Sequence, residues 1–165
     1  MTIFAERYHD ISCGHRVVGH ESKCRHLHGH NYRVHFICSS DDLDSVGRVI
    51  DFGVIKEKLC MWIEDNWDHK FLAWKEDPLM QGIINLLDSD ENDGEPYLVP
   101  GKEDATFRES IVFVPFNPTA ENMAQYLLGV IGPVQLMGTG VTLIQVTVGE
   151  TAKCSATAIE GSNGQ

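Results

Sequence analysis

Two histidines separated by a single residue are the strongest chemical signal in the sequence. His28 and His30 open the second predicted strand, and residues i and i+2 of an extended chain point to the same side. Two imidazoles placed in this way can bind one metal ion, and Gly29 between them lets another group approach closely. A third candidate ligand is His15, at the end of the first predicted strand, which comes near the pair if the two strands form a hairpin. Three histidine ligands leave one coordination position of zinc open, as catalytic sites do.

Two other interpretations of these residues stay open. A structural zinc site could combine Cys24 with His28 and His30, although no further cysteine-rich motif completes it. A histidine is also commonly an ordinary polar residue with its own hydrogen bonds. We interpret four more histidines as surface or hydrogen-bonding residues: His9, His20, His26 and His35.

Asp68 and His69 form a second candidate pair for proton chemistry. A carboxylate beside a histidine fixes the tautomer of the imidazole and raises its basicity. Because Trp67 precedes the pair and Phe71 and Leu72 follow it, we expect it to lie partly buried just after the first helix. Adjacent residues rarely bond each other directly, so an ordinary structural role stays open.

A carboxylate also stands at the end of a long predicted strand. Glu150, followed by Thr151, closes the β-prone segment 141–149. A carboxylate held by rigid backbone can accept two parallel hydrogen bonds from an amidine-like heterocycle edge. In isolation, an ordinary loop glutamate is the more common interpretation of such a residue.

The elements that must position these residues follow from hydrophobic periodicity. Strands are predicted at 3–12, 31–39, 141–149 and 154–159. Asp51 can cap a helix that runs to about Asp65, and Thr119 can cap a second one that ends at Gly132-Pro133. The order β-β-α, insertion, α-β-β predicts an α+β domain, an antiparallel sheet with two helices on one face.

Length and charge narrow the classes of protein to which this chain can belong. The 165 residues predict a single domain, 1–165, that is soluble and globular, since 42% of residues are hydrophobic and 22% are charged. A net charge of −11 argues against nucleic-acid binding. The acidity is local, because segment 76–109 has ten acidic and two basic residues and reads as a polar insertion. The first 75 residues are nearly neutral, so an anionic substrate is not excluded.

The same composition predicts a cytoplasmic protein that does not contact a membrane. No apolar run reaches the roughly 18 residues of a membrane helix, and the first residues lack the pattern of a signal peptide. Five scattered cysteines do not suggest a disulfide framework, which favours a reducing compartment.

Four blocks of sequence, taken in order, resemble the 6-pyruvoyl-tetrahydropterin synthase / 6-carboxytetrahydropterin synthase family. The blocks are His15-Arg16; Cys24 with His28-Gly29-His30-Asn31-Tyr32; Val49-Ile50-Asp51-Phe52 with Trp67-Asp68-His69; and Asn117-Pro118-Thr119-Ala120-Glu121-Asn122 with Glu150-Thr151. The resemblance implies the tunnelling fold, ββααββ, whose subunits form oligomeric barrels. It further implies a homohexamer with active sites at subunit boundaries.

The family also implies a role for each matching residue. Zinc would be held by His15, His28 and His30; Cys24 would be the general base; His69, supported by Asp68, would be the second proton-transfer group; and Glu150 would anchor the pterin ring, with Thr119 near it. The implied substrate is 7,8-dihydroneopterin triphosphate. Its triphosphate needs cations, and Arg16, Lys23, Arg25 and Lys56 are the candidates, with Arg25 also beside the thiol.

The spacing around the cysteine favours one branch of the family. Three residues separate Cys24 from His28, which resembles the bacterial branch that makes 6-carboxytetrahydropterin for queuosine-type deazaguanine synthesis. The folate-supporting branch carries a glutamate in this segment, and none occurs here. The implied products are 6-carboxytetrahydropterin, acetaldehyde and triphosphate. Two alternatives are a sister enzyme, such as 6-pyruvoyl-tetrahydropterin synthase, and a pterin- or zinc-binding module without turnover.

Overall fold

The structure, a computed structural model, describes residues 2–88 and 106–161 and shows a curled sheet of six strands. Their order across the sheet is β4-β3-β1-β2-β5-β6. The strands are β1 (Ala5–His15), β2 (His28–Ser39), β3 (Phe71–Trp74), β4 (Ile111–Val114), β5 (Thr142–Thr151) and β6 (Cys154–Ile159). Helices α1 and α4 each consist of three contiguous pieces with a wide π turn in the middle: Phe52–Ile55, Lys56–Cys60 and Met61–Trp67 form α1, and Ala120–Tyr126, Leu127–Ile131 and Gly132–Gln135 form α4. Two further helices are α2 (Pro78–Asp88) and α3 (Thr106–Glu109).

The predicted element order and both helix caps are confirmed. Asp51 accepts a hydrogen bond from the Gly53 N–H at 2.7 Å, and Thr119 accepts one from Asn122 N–H at 3.2 Å. The strands differ from their predicted bounds at one end of the hairpin, since β1 extends to His15 and β2 begins at His28. The candidate metal ligands therefore lie within the paired strands.

The sheet also contains two strands that periodicity did not predict. The four predicted strands β1, β2, β5 and β6 pair with one another in antiparallel fashion, as expected, but β3 pairs with β1 and with β4 in parallel. Both added strands are apolar runs of only four residues, too short for a two-residue period to stand out. The sheet is consequently mixed.

The prediction that Gly132-Pro133 ends the second long helix is wrong. The Gly132 N–H donates to the Leu127 carbonyl, five residues back, and the helix then restarts and continues to Gln135. Proline lacks an N–H, but in the first turn of a helix that N–H has no intrahelical partner. The wide turn therefore lets α4 continue through Pro133.

The core lies between one face of the sheet and the two long helices. Tyr32, Val34 and Phe36 of β2 are almost fully buried, and so are the α1 residues predicted to face inward, Ile55, Leu59 and Ile63. Ala124, Leu127 and Ile131 of α4 are also buried. Each large apolar side chain buried in this way contributes about 1.5–3 kcal/mol. This packing fixes the site-bearing ends of β1 and β2 against the start of α4.

The predicted acidic insertion, 76–109, is described only in part. Of its polar stretch 88–96, only Asp88 is among the described residues. Its apolar stretch belongs to α2, where Ile83 and Ile84 are half-buried and Met80 is buried. Asp77 begins this helix by accepting the Leu79 N–H at 2.9 Å. In the described part of the chain, no helix is long and apolar enough to span a bilayer.

Candidate active site

The β1–β2 hairpin brings the three candidate histidine ligands onto one face of the sheet. In the antiparallel register His15 lies opposite His28, and Cys13 lies opposite His30. One ring nitrogen from each of His15, His28 and His30 lies within 4.8 Å of the other two. His15 is buried and the other two are half-buried, so the open side of the cluster faces a solvent-accessible space.

Backbone carbonyls fix which nitrogen each ring presents. The His15 Nδ1–H donates to the Pro118 carbonyl at 2.6 Å, and the His28 Nδ1–H donates to the His26 carbonyl at 2.7 Å. Such bonds leave Nε2 as the free acceptor and are common around metal-bound imidazoles. Both rings therefore direct Nε2 at the centre of the cluster.

Two observations show that the cluster suits a metal ion. The His30 Nε2 is buried and has no hydrogen-bond partner among the described residues, which costs free energy unless a ligand satisfies it. Burial, aided by the nearby imidazole of His28, holds the pKa of His15 below its ordinary value, although the bond to Pro118 acts in the opposite direction. Neutral imidazoles are the form that binds metal. Three imidazole nitrogens fit zinc with one position open.

Tyr32 and Glu150 complete the wall of the cluster. The Tyr32 hydroxyl lies 3.0 Å from His15 Nε2 and 3.5 Å from Glu150 Oε1. The same carboxylate oxygen is 3.5 Å from His15 Nε2 and 3.6 Å from His30 Nε2. Burial, reinforced by neighbouring acidic groups, raises the pKa of Tyr32, so the residue stays a neutral donor.

Strand alternation explains why Glu150 faces inward. Val146 and Val148 are fully buried on the core side of β5, and Glu150 is the next residue in that two-residue series. A register shift between Gly149 and Thr151 marks a bulge at this point, and bulges often re-aim a side chain near a functional site. The carboxylate therefore lies beside the histidine cluster and is about 25% exposed.

Cys24 shares a cavity with Glu150. The cysteine lies on a 3₁₀ turn, Lys23–Arg25, in the loop between β1 and β2, and is partly exposed. A cavity of about 310 Å³ is lined by Cys24, Thr119 and Glu150. Cys24 is not part of the candidate metal-binding cluster found among the described residues, which disfavours the structural-zinc interpretation.

The candidate cations lie elsewhere. Arg25 is exposed, donates to the Glu21 carbonyl at 3.3 Å, and does not line the cavity of Cys24. Arg16 lies 3.0 Å from the buried carboxylate of Asp77, an ion pair that ties the loop to the start of α2. Within one chain, neither of these two triphosphate-binding candidates lines the cavity that contains Cys24.

Asp68 and His69 are bonded directly, against the expectation for adjacent residues. The His69 Nδ1–H donates to Asp68 Oδ2 at 2.5 Å. This geometry depends on the left-handed backbone of His69, with φ of 54°, which is uncommon outside glycine. Asp68 also accepts the Ser12 N–H at 2.7 Å. Partial burial would raise the pKa of Asp68, but the bonds from Ser12 and His69 outweigh it and lower the pKa.

The predicted burial of this pair is wrong for the histidine. The Asp68 side chain is 18% exposed, whereas that of His69 is 83% exposed. Both residues line a groove of about 740 Å³ together with Asn31 and Arg33, on the outer face of the sheet. That face is opposite the one that carries the histidine cluster, because Asn31 and Arg33 alternate with the buried Tyr32. One chain therefore does not bring His69 to Cys24.

Gly29 lets another group approach closely, as predicted, and that group is the backbone of the paired strand. A Cβ at this position would lie 3.0 Å from the Cys13 carbonyl oxygen of the paired strand. The glycine thus permits close approach of two backbones in the hairpin, not of a ligand. Sequence reasoning also missed the roles of Tyr32 and Pro118, although alternation from His28 and His30 places Tyr32 on the same face.

Comparisons with known proteins agree with this geometry. A family model described as 6-pyruvoyl tetrahydropterin synthase matches residues 5–160. A protein of Rickettsia felis named 6-carboxy-5,6,7,8-tetrahydropterin synthase is 32% identical over 146 residues, which cover 88% of this chain and 91% of that protein. The crystal structure of an uncharacterized protein from Wolinella succinogenes has a TM-score of 0.80 at 25% identity, covering 98% of this chain and 99% of the other. The 6-pyruvoyl tetrahydropterin synthase of Caenorhabditis elegans has the same fold, with a TM-score of 0.61 at 20% identity over 98% and 97% of the two chains.

Proposed function

This chain belongs to the 6-pyruvoyl tetrahydropterin synthase family, an enzyme family of the lyase type, and from that membership we propose that it is a zinc-dependent 6-carboxy-5,6,7,8-tetrahydropterin synthase. The proposed substrates are 7,8-dihydroneopterin triphosphate and water. The proposed products are 6-carboxytetrahydropterin, acetaldehyde and triphosphate.

The observation that carries the proposal is the position of Glu150, which lies beside the three-histidine cluster and also lines the cavity that contains Cys24. Glu150 lies within 3.6 Å of both His15 and His30 and also lines the cavity that contains Cys24. A ligand in that cavity would therefore contact the thiol of Cys24 and the carboxylate of Glu150, which lies beside the histidine cluster. These are the groups needed to bind a polyhydroxylated side chain and move its protons.

Each group would have a separate task. His15, His28 and His30 would hold the zinc, which when bound supplies Lewis acidity toward the substrate hydroxyls. Cys24, partly exposed in the cavity, would accept a proton from the substrate side chain. Glu150 would accept hydrogen bonds from the pterin amino-pyrimidinone edge and so orient the ring.

We propose that the active site is completed across subunits in a homohexamer. Only Gly14 and His15 of β1 pair with β3, so residues 5–13 of β1 have one free side within the described sheet, and β6 forms another edge. Unpaired edges are protected in native proteins, and closure of a barrel removes them. A neighbouring subunit would then supply the His69 imidazole, held by Asp68, as the second proton-transfer group.

The product and pathway follow from the cysteine spacing and the relatives. Relatives that match most of the chain are named 6-carboxy-5,6,7,8-tetrahydropterin synthase, which supports the carboxy product and a place in deazaguanine synthesis of the queuosine type. Formation of the 6-pyruvoyl product on the same scaffold is the alternative. All five cysteines are free thiols, which supports a cytoplasmic enzyme.

The proposed function predicts release of acetaldehyde from 7,8-dihydroneopterin triphosphate. We expect the zinc-loaded protein to release acetaldehyde and triphosphate in equal amounts, measured by aldehyde dehydrogenase coupling and by phosphate chromatography. Triphosphate release without acetaldehyde would indicate the pyruvoyl reaction instead. Binding of the pterin without release of either product would leave only a binding module and would refute the proposal.

Glu150→Gln is expected to weaken substrate binding by about 5- to 150-fold. The amide places an NH₂ donor opposite a ring donor, so one bond is lost and a polar group stays unpaired, which costs about 1–3 kcal/mol. Affinity is measured on a Cys24→Ala background, which removes turnover. Zinc content is the control, because the carboxylate lies 3.5 Å from His15 Nε2. Loss of zinc would assign Glu150 to the metal centre, and unchanged affinity would mean that other groups hold the ring.

A further inference from the structure

A backbone hydrogen bond joins the beginning and the end of the loop that carries Cys24. Residues 16–27 connect two metal-ligating histidines, His15 and His28. The Val17 N–H donates to the Cys24 carbonyl at 2.8 Å. The position of the Cys24 backbone therefore depends on the contacts that hold Val17 and its neighbours in place.

Residues 17–20 form a tight turn in which Val18 is the second residue. The His20 N–H donates to the Val17 carbonyl at 3.3 Å, and Gly19 has φ of 82°. A positive φ at the third position is typical of a type II turn, which glycine adopts without strain. The turn itself leaves both backbone polar groups of Val18 unpaired.

The side chain of Asn117 binds both of these groups. The Val18 N–H donates to Asn117 Oδ1 at 2.9 Å, and Asn117 Nδ2 donates to the Val18 carbonyl at 2.9 Å. One amide thus closes a two-bond bridge between positions 99 apart in the chain. The two bonds resemble the pair of hydrogen bonds that opposite residues exchange in an antiparallel sheet.

Asn117 belongs to the segment that also fixes a metal ligand. Its own carbonyl accepts bonds from the Thr119 N–H at 2.7 Å and from Asn122 Nδ2 at 2.9 Å. The next residue, Pro118, accepts the Nδ1–H of His15. Two further side chains outside the loop also bond to it: Asp77 pairs with Arg16, and the His28 Nδ1–H donates to the His26 carbonyl. Asn117 therefore couples the cysteine loop to the element that orients His15.

We propose that Asn117 is a positioning residue that sets the place of Cys24 relative to the three-histidine cluster by clamping Val18. Without the two Asn117–Val18 bonds, the loop segments that contain Val17 and Cys24 can move together, while the paired strands still hold the histidines. The expected change in turnover rests on the proposed function, whereas the expected change in loop protection does not.

Asn117→Ala tests the proposal, with Asn66→Ala as the matched control. Asn66 also donates its amide to a backbone carbonyl, that of Trp62 at 2.8 Å, but it is exposed on α1. We expect amide hydrogen exchange of peptides within 16–27 to become about tenfold faster in Asn117→Ala, because two hydrogen bonds are lost. Exchange in β1 and β2, and zinc content, should match those of the unmodified protein.

Two site readouts separate positioning from a general loss of stability. Alkylation of Cys24 by iodoacetamide should change in rate, and kcat should fall about 10- to 100-fold with a smaller change in KM, because misplaced groups lose reactivity. Asn66→Ala should change neither readout. Unchanged exchange in 16–27, or equal acceleration in both variants, would overturn the proposal.

Asn117→Asp covers the case in which the alanine variant does not fold. Aspartate keeps the volume and the acceptor for the Val18 N–H but removes the donor to the Val18 carbonyl. Exchange in 16–27 should again accelerate, and wild-type protection in this variant would refute the clamp. If the unmodified protein releases no product, the proposed function fails, while the exchange and alkylation results still decide the role of Asn117.

Discussion

Replacing Cys24 with alanine is expected to lower kcat by about 10²- to 10⁴-fold, the usual contribution of a general base, while the zinc stays bound. The thiol lines the cavity beside Glu150 but does not belong to the histidine cluster, so its removal leaves the metal ligands intact. Turnover and zinc content are measured on the same preparation. Release of zinc would show that Cys24 is a structural ligand.

Cys24→Ser separates proton transfer from packing in the same cavity. Serine preserves the size of the side chain, but its hydroxyl ionises far less readily than a thiol, so we expect a loss close to that of alanine. An active Cys24→Ser enzyme would mean that the residue fills space and that another group accepts the proton.

His28→Ala is expected to remove the bound zinc and with it all turnover. The unmodified chain should bind one zinc, because one ring nitrogen from each of the three histidines lies within 4.8 Å of the other two. With two ligands left, affinity falls strongly, and a chelator that lowers the Tm of the unmodified protein should no longer change that of the variant. Metal analysis after gel filtration gives the stoichiometry.

His26→Ala is the matched control for this variant. The His26 side chain is exposed, and only its backbone carbonyl supports His28. Zinc content and Tm should therefore match those of the unmodified chain. Full zinc occupancy in His28→Ala would contradict the assigned ligand set.

The grouping of the three histidines could be predicted from the sequence because it depends on strand alternation. His28 and His30 are two residues apart, and the hairpin places His15 opposite His28, so a local pattern and one pairing suffice. The caps at Asp51 and Thr119 were predictable for a similar reason, since each acts within three residues. Short-range geometry thus accounts for the successful predictions.

The remaining features depend on contacts that no local pattern encodes. The bond between Asp68 and His69 needs a left-handed backbone at a residue that rarely adopts one. The parallel pairing of β3 with β1 and the bridge from Asn117 to Val18 join positions far apart in the chain. Burial of His69 was wrongly predicted from apolar neighbours, which pack inward while the imidazole faces the outer groove.

His15 and His28 face each other across two paired strands, so the geometry of these candidate ligands does not depend on the length of the loop between them. Because the two residues face each other across a hydrogen-bonded ladder, the distance between them is fixed by the sheet and not by residues 16–27. Insertions or deletions in that loop can move the cysteine without disturbing the ligands, as loops tolerate changes that strands do not. Under the proposed function, evolution or a protein engineer could therefore exchange the proton acceptor in the loop while the three histidine ligands stay in place.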